Sequence, residues 1–293
     1  MFLLVLVGSA VAQQPGHQSL PVLVPESSWC PLRETADQSL QSKLENRLSE
    51  NRYWASLIEK EKMAVGLVDL TDLDSPRLAC INGDTMMYAA SLPKIAILLA
   101  AFQNLEDGVL EETPETMDKL TRMIRYSSNE CATRMIDQLG FEKIEEVLRD
   151  PQYQLFDANR GGGLWVGKRY GKFGKRYPDP IKGLSHAATV NQVCRFYYLL
   201  ATGKLINSQR SQQMLDILSS PQIHHKFVSS LERKIPKSCI FRKSGTWKNW
   251  HADSVLVWGP EWRRYILVGL VEDSKGEQSL RNLVPAIEEI LHD

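Results

Sequence analysis

A serine and a lysine three positions apart are the first residues whose types and spacing suggest chemistry. Ser91 and Lys94 belong to Ser-Leu-Pro-Lys, the only Ser-x-x-Lys in the chain. Pro93 suits a first helical turn, and the apolar residues around and after Lys94 predict a helix over 92–102. Side chains three apart share a helix face, so the Lys94 amine can reach the Ser91 hydroxyl. Such a serine becomes a nucleophile when the lysine, its pKa lowered by burial, takes its proton.

A second short motif, Ser127-Ser128-Asn129, lies just before a predicted helix. Serine and asparagine are common N-caps, so a capping role alone would explain these residue types. In the functional interpretation, Ser127 relays a proton to a leaving nitrogen and Asn129 holds a substrate amide.

A third motif, Lys243-Ser244-Gly245-Thr246, ends a β-rich run. Gly245 has no side chain, so a ligand can approach the strand edge there. Lys243 and Ser244 would then bind a substrate carboxylate, and the charge of Lys243 would lower the pKa of Lys94. Each motif is weak evidence alone, but three in this order and context predict one active site.

Predicted strands lie near both ends of the chain, and predicted helices fill its middle. Apolar patterns predict terminal helices over 37–61 and 277–291. Helices in the middle are predicted at 92–102, 114–125, 129–139, 141–149, 190–203 and 208–218. Strands are predicted at 63–70, 77–81, 239–245, 252–258 and 264–271.

These elements predict an α/β fold of the α+β type. An antiparallel sheet is built from both termini and flanked by helices, with an all-helical subdomain inserted. Residues 37–88 plus 221–293 form the sheet subdomain and 89–220 the helical subdomain, with the active site between the two.

The stretch from Arg160 to Lys182 contains six glycines and is predicted to be a long loop. Seven basic residues stand there against one acid, Asp179. The loop is interpreted either as a solvated surface segment or as a wall of a site for an anionic substrate. The adjacent His224 and His225 are predicted to be a solvated pair.

The N-terminus predicts export. An apolar run over 2–7 and the small residues of Ala-Val-Ala at 10–12 are typical of a secretory signal peptide over 1–12. A buried apolar strand is the alternative. Residues 13–36 contain four prolines and predict a linker. We therefore expect an exported, periplasmic or extracellular bacterial protein.

Composition narrows the classes of partner. The chain has 35 basic and 35 acidic residues, which gives no reason to expect nucleic acid or an anionic membrane surface. No Cys-x-x-Cys or Cys/His spacing indicates a metal, so we expect no metal and no cofactor. We expect a monomer.

The three motifs together resemble those of the serine β-lactamases and penicillin-binding proteins, most closely the class A β-lactamases, over residues 37–293. The resemblance implies a β-lactam or a peptidoglycan-like peptide as substrate. It implies that Ser91 is the acylated nucleophile and Lys94 the base, and that Ser127 relays protons. It also implies that Asn129 binds the substrate amide, that Lys243 and Ser244 bind the carboxylate, and that the backbone N–H groups of Ser91 and Thr246 form the oxyanion hole.

The chain departs from class A enzymes in three places. Ser128 stands where the family usually has aspartate, and the spacing from Ser91 to Ser127 is shorter, which predicts a more open site. The family's Glu-x-x-Leu-Asn element, whose glutamate activates the deacylating water, has no counterpart, because Asp157 and Asp179 are the only acids in 152–185. Asp157 is the tentative substitute. Loss of a positioned general base costs about 100- to 10,000-fold in rate.

Several functions remain open at this stage. Overall resemblance favours a β-lactamase-type hydrolase, whereas the missing glutamate favours a D-alanyl-D-alanine carboxypeptidase or transpeptidase, or an esterase. A penicillin-binding sensor that is acylated without turnover belongs to another class. A degenerate structural homologue is disfavoured because all three motifs retain their chemically active residues.

Overall fold

A computed structural model of the protein describes residues 19–171, 173–260 and 262–292, so the predicted signal peptide lies outside the described residues. The α-helices are α1 Gln38–Ser49, α2 Arg52–Glu59, α3 Lys94–Glu106, α4 Pro114–Arg125, α5 Asn129–Leu139, α6 Phe141–Arg149, α7 Val190–Ala201, α8 Ser208–Leu218, α9 Phe227–Leu231 and α10 Gly276–His292. The strands are β1 Met63–Asp69, β2 Arg77–Ile81, β3 Met87–Tyr88, β4 Phe156–Asp157, β5 Gly162–Gly163, β6 Trp165–Val166, β7 His186–Ala188, β8 Ile240–Trp247, β9 Trp250–Trp258 and β10 Arg264–Glu272.

The main sheet has five antiparallel strands in the order β2-β1-β10-β9-β8. Strand β1, from the N-terminal part of the chain, pairs with the C-terminal β10, with Leu67 opposite Leu267. The sheet is therefore assembled from both ends of the sequence, and the predicted α/β fold class is confirmed. Strand β8, which carries the third motif, is an edge strand.

Two hydrophobic clusters occupy the two faces of the sheet. The first joins α1, α2, α9 and α10 to one face through residues such as Leu44, Phe227 and Leu283. The second lies on the other face, contains α7, and extends into the helical part of the chain around α3. Every residue from Ile95 to Phe102 in α3 is fully buried. Helix α3 is thus enclosed by other residues along most of its length, and this packing restricts the movement of its first turn.

The predicted helix over 37–61 is wrong at one point, because it is two helices. The Asn51 side chain accepts hydrogen bonds from the backbone N–H groups of Tyr53 and Trp54 and begins α2. A capping side chain competes with a continuous helix, so the chain turns there.

The glycine-rich stretch from Arg160 to Lys182 differs from a plain loop at its start. Strands β5 and β6 both lie within it, and β6 pairs with β7. The indole N–H of Trp165 donates to the carbonyl of Tyr177 at 2.8 Å. The loop is therefore tied down at both ends rather than projecting freely.

The predicted linker over 13–36 differs from the structure where it is described. Leu20, Val22 and Leu32 are buried, and the Val22 N–H donates to the carbonyl of Ala201 at 2.7 Å. The prolines break regular structure, but the apolar residues between them favour packing over a free tether. All five cysteines are free thiols. No helix in the described residues is long and apolar enough to span a membrane.

Candidate active site

Ser91 lies in a tight turn between β3 and α3. The Leu92 N–H donates to the Ala89 carbonyl at 3.0 Å, and the Lys94 N–H donates to the Ser91 carbonyl at 3.3 Å. These short-range bonds make α3 begin at Lys94, two residues after its predicted start. Ala90, immediately before Ser91, has a φ of +51°, which is uncommon for a residue with a Cβ. The turn therefore holds Ser91 in a constrained position at the start of a buried helix.

The Lys94 amine is completely buried at the base of this turn. Its Nζ donates to the Ser127 carbonyl at 2.6 Å and to Asn129 Oδ1 at 2.8 Å, and lies 3.3 Å from Ser127 Oγ. Burial lowers the pKa of Lys94 from 10.5 to about 7. A neutral amine can donate two hydrogen bonds and accept a proton through its lone pair, so this lysine can act as a base near neutral pH. None of its described hydrogen bonds reaches Ser91 Oγ.

Ser127 lies between two lysine amines. Lys243 Nζ donates to Ser127 Oγ at 2.9 Å and to the Ser244 carbonyl at 2.7 Å. Burial, and then the neighbouring charge of Lys94, lower the pKa of Lys243 well below its ordinary value. The predicted effect of Lys243 on the pKa of Lys94 is wrong, because burial is what lowers that pKa. The Ser127 hydroxyl thus connects two amines that do not readily carry protons at the same time.

The edge strand β8 passes directly against the Ser91 turn. A Cβ added at Gly245 would lie 2.2 Å from the Ala89 carbonyl oxygen and 2.7 Å from the Ser91 nitrogen. Only glycine permits this approach of two backbones. Lys243 and Ser244 are buried beside the turn, whereas Thr246 is exposed where the strand leaves it. The first and third motifs therefore form one site, and Ser127 and Asn129 of the second complete it.

The remaining member of the second motif has a structural role. Ser128 Oγ accepts the Cys131 N–H at 3.2 Å and caps α5. Ser127 precedes it with a φ of +55°. The bend that this φ produces directs the backbone carbonyl of Ser127 toward Lys94.

A buried lysine that the sequence analysis did not single out lies under β8. Lys226 Nζ donates to the Gly245 carbonyl at 2.6 Å, to Thr246 Oγ1 at 2.7 Å and to the Ala252 carbonyl at 3.1 Å. Burial lowers the pKa of Lys226 to about 8. This amine supplies positive charge at the end of the third motif.

The predicted solvated histidine pair is only half correct. His224 is 40% exposed and pairs with Glu232 at 2.7 Å, but His225 Nε2 lies 3.4 Å from Ser244 Oγ. Burial lowers the pKa of His225 to about 4, so its ring is neutral at pH 7. The two rings have different partners, and only His225 lies at the site.

An ion pair fixes the segment that carries Lys226. Arg242 Nε and Nη2 donate to the two carboxylate oxygens of Asp253 at 2.7 and 2.8 Å. Asp253 Oδ2 also accepts the Phe227 N–H at 3.1 Å, and both charged side chains are almost completely buried. Bidentate pairing of this kind holds the 225–227 segment against the sheet.

The glycine-rich loop contributes an aromatic ring to the site. The ring centroid of Tyr170 lies 4.5 Å from Lys94 Nζ, and its hydroxyl donates to the Ala90 carbonyl at 3.3 Å. Burial raises the pKa of Tyr170 well above its ordinary value. Sequence analysis missed Tyr170 because a tyrosine in a basic loop carries no spacing signal.

The two aspartates considered as deacylation residues are engaged elsewhere. Asp157 accepts the Asn159 N–H at 2.9 Å, faces Arg160 at 3.6 Å, and lines a separate cavity of about 420 Å³ with Arg195. Asp179 is buried and accepts N–H groups within its own loop, including that of Ile181 at 2.8 Å. The structure does not bring Asp157 to Lys94. Among the described residues, no cluster of His, Cys, Asp and Glu could hold a metal ion.

Comparisons with known proteins agree with this architecture. The family model described as the beta-lactamase enzyme family matches residues 51–293. No curated protein sequence matches the chain significantly.

Many solved structures share the fold. PBP-A is 17% identical, with a TM-score of 0.62 over 88% of this chain and 97% of that one. A class A β-lactamase from Mycobacterium abscessus is 17% identical, with a TM-score of 0.61 over 84% and 100%. A β-lactamase from Sphaerobacter thermophilus is 16% identical, with a TM-score of 0.61 over 81% and 96%. At these identities the likeness shows the fold alone.

Proposed function

Since the chain belongs to the beta-lactamase enzyme family, we propose that it is a serine hydrolase of the β-lactamase type that works through an acyl-Ser91 intermediate. Its substrate would be a β-lactam or a related carboxylate-bearing amide. One observation carries the proposal: the Ser127 hydroxyl lies between the buried amines of Lys94 and Lys243, beside the Ser91 turn. A mutant of PBP-A has been solved as an acyl-enzyme complex with penicillin G.

In the first step, the neutral Lys94 amine accepts the Ser91 proton, and Ser91 Oγ forms a bond to the carbonyl carbon of the amide. Negative charge then develops on the carbonyl oxygen. The backbone N–H groups of Ser91 and Thr246 would stabilise that oxyanion. Each such donor lowers the free energy of the transition state by about 3–4 kcal/mol. The close contact of Gly245 with the turn supports this arrangement.

In the second step, the carbon–nitrogen bond breaks and the leaving nitrogen needs a proton. Ser127 donates its own proton to that nitrogen and takes one from the Lys94 ammonium, so no net charge accumulates. Lys243, whose Nζ donates to the same hydroxyl at 2.9 Å, holds that hydroxyl in position for the transfer. Asn129, through the amide side chain that binds Lys94, would also position the substrate amide.

The carboxylate of the substrate would bind at the end of β8. Ser244 and Thr246 offer hydroxyl donors there, and Lys226 lies directly behind the Thr246 hydroxyl at 2.7 Å. A buried cation strengthens an anion contact because little water screens it. Binding at this place would leave the amide carbonyl facing Ser91.

The proposal is tested by mixing the purified protein with a chromogenic cephalosporin and following both the coloured product and the protein mass. Sustained product formation through a transient adduct supports a β-lactamase. Ser91→Ala should abolish both signals, whereas Ser49→Ala, at an exposed position near the end of α1, should leave both unchanged. The absence of adduct and product in the unmodified protein would refute the proposed function.

A D-alanyl-D-alanine carboxypeptidase or transpeptidase is the second candidate. It is favoured because the described contacts of Lys94, Ser127 and Lys243 include no carboxylate that could activate water. A stoichiometric burst followed by a lasting adduct would support this candidate or a penicillin-binding sensor. Release of D-alanine from a peptide ending in two D-alanines would then identify the peptidase.

We further propose that the protein is exported to the periplasm or the extracellular space and is monomeric. The apolar N-terminal run and its small-residue cleavage site support export. The mass of the secreted protein and its elution volume in gel filtration test the two statements separately.

A further inference from the structure

The Tyr170 side chain covers one side of the catalytic lysine. Its ring centroid lies 4.5 Å from Lys94 Nζ, and its hydroxyl donates to the carbonyl of Ala90, the residue before Ser91. One side chain from the glycine-rich loop therefore contacts both the proposed base and the turn that holds the nucleophile.

A contact with the His186 ring and hydrogen bonds of the loop keep Tyr170 in place. Its ring packs on the His186 ring with centroids 4.3 Å apart. Burial lowers the pKa of His186 to about 4, so the ring is neutral at pH 7, and its Nε2 lies 3.0 Å from the carbonyl oxygen of Lys168. The Gly167 N–H donates to the Ser185 carbonyl at 2.6 Å, which ties the start of the loop to β7.

The position that Tyr170 occupies offers no acceptor for a proton from water. A phenol whose pKa is raised well above 10 stays protonated at neutral pH. Lys94 itself is fully buried, and its hydrogen bonds go to Ser127 and Asn129. In the part of the chain that the structure describes, no hydrogen bond or ion pair joins a carboxylate to Lys94 or Tyr170.

We propose that Tyr170 is a positioning residue whose ring excludes water from Lys94 and from the Ser91 ester, so that the acyl group leaves slowly by hydrolysis. The inference rests on the proposed acyl-Ser91 function and specifies its slow step. In that step a water oxygen bonds to the ester carbon, its proton passes to a base, and the bond from the carbon to Ser91 Oγ breaks as the oxygen regains a proton. With the ring in place, water reaches neither the ester nor the amine that would take its proton.

The test separates formation of the adduct from its loss. Unmodified protein, Tyr170→Phe and Tyr170→Ala are acylated with penicillin G, free antibiotic is removed, and the adduct is followed by protein mass. We expect Tyr170→Ala to lose the adduct about 10-fold faster or more, because removing a barrier to water restores part of a 100- to 10,000-fold general-base effect. Tyr170→Phe keeps the ring and should retain the long lifetime. Phe173→Ala is the matched control, since that ring lies in the same loop and is 87% exposed.

A pH profile distinguishes this role from a merely structural one. Without the ring, water reaches Lys94 and the pKa of its amine rises. The pH at which Tyr170→Ala reaches half of its maximal acylation rate should therefore be about one unit higher than in the unmodified protein. An adduct that Tyr170→Ala loses at the unmodified rate would overturn the inference alone, as would equal behaviour of Tyr170→Phe and Tyr170→Ala. An unmodified protein that forms neither adduct nor product would overturn the proposed function, and the inference with it. One that releases its product as fast as Tyr170→Ala does would overturn the inference alone.

Discussion

Replacement of Gly245 by alanine tests whether the approach of β8 to the Ser91 turn is needed for acylation. The new Cβ would lie 2.2 Å from the Ala89 oxygen and 2.7 Å from the Ser91 nitrogen, and both of those atoms belong to the backbone. Ordinary contact begins near 3.4 Å, so strand and turn must separate by about 1 Å. Neither side yields easily, because α3 is buried behind the turn and β8 is paired with β9.

The expected effect is large on rate and moderate on stability. A displacement of about 1 Å in a catalytic group costs about 100-fold in rate, and here it moves the proposed nucleophile, Ser91, relative to the proposed oxyanion donors. Overpacking at a tight contact destabilises by about 1–3 kcal/mol. Stopped-flow acylation by a chromogenic cephalosporin gives the rate, and thermal denaturation followed by circular dichroism gives the stability.

Gly171→Ala supplies the matched control, because a Cβ at that position meets nothing within 4 Å. Its acylation rate and melting temperature should equal those of the unmodified protein. If Gly245→Ala is acylated at the unmodified rate while remaining folded, the oxyanion and strand-edge geometry derived above is incorrect.

Three further predictions follow from the site. The pKa of Lys94 is lowered to about 7, and only the neutral amine accepts a proton. The rate of acylation by a penicillin should therefore rise about 10-fold per pH unit below pH 7 and level off above it. A rate independent of pH from about 5 to 9 would contradict this. Lys226→Met removes the cation behind Thr246 and should raise KM for a carboxylate-bearing substrate about 10-fold with a smaller change in kcat, whereas loss confined to kcat would exclude a binding role. Asp157→Asn should leave the lifetime of the adduct unchanged in mass measurements, since Asp157 lines a different cavity. A changed lifetime would indicate that Asp157 takes part in deacylation.

Most of the fold could be predicted because its elements carry strong local signals. Helices α4, α5, α6 and α8 have the predicted bounds. Each has an apolar stripe, and three of them also begin at a capping side chain: Thr113, Ser128 and Asn207. Strands were predicted near both ends of the chain and helices in its middle, and this order correctly predicted an antiparallel sheet built from both ends. The first helix was predicted as one because a periodic apolar pattern continues past Asn51, and a single cap outweighs it locally.

The site was predictable only where function depends on short spacing. Ser91 and Lys94 are three residues apart, and Lys243 to Thr246 are consecutive, so each motif is visible in the sequence. Lys226 and Tyr170 reach the site through tertiary packing, from segments far along the chain from the residues that they contact. No local pattern records such contacts. Burial, which lowers the pKa of Lys94, is likewise a property of the folded protein.

Two backbone positions with positive φ lie beside the site, Ala90 at +51° and Ser127 at +55°. A residue with a Cβ costs about 1–2 kcal/mol in that conformation, whereas glycine adopts it freely. Glycine at position 90 would therefore relieve strain, but it would also loosen the turn that contains Ser91. At position 127 the same change would in addition remove the hydroxyl that lies between Lys94 and Lys243. A directed-evolution campaign for thermal stability should hold both residues constant while it improves the rest of the chain.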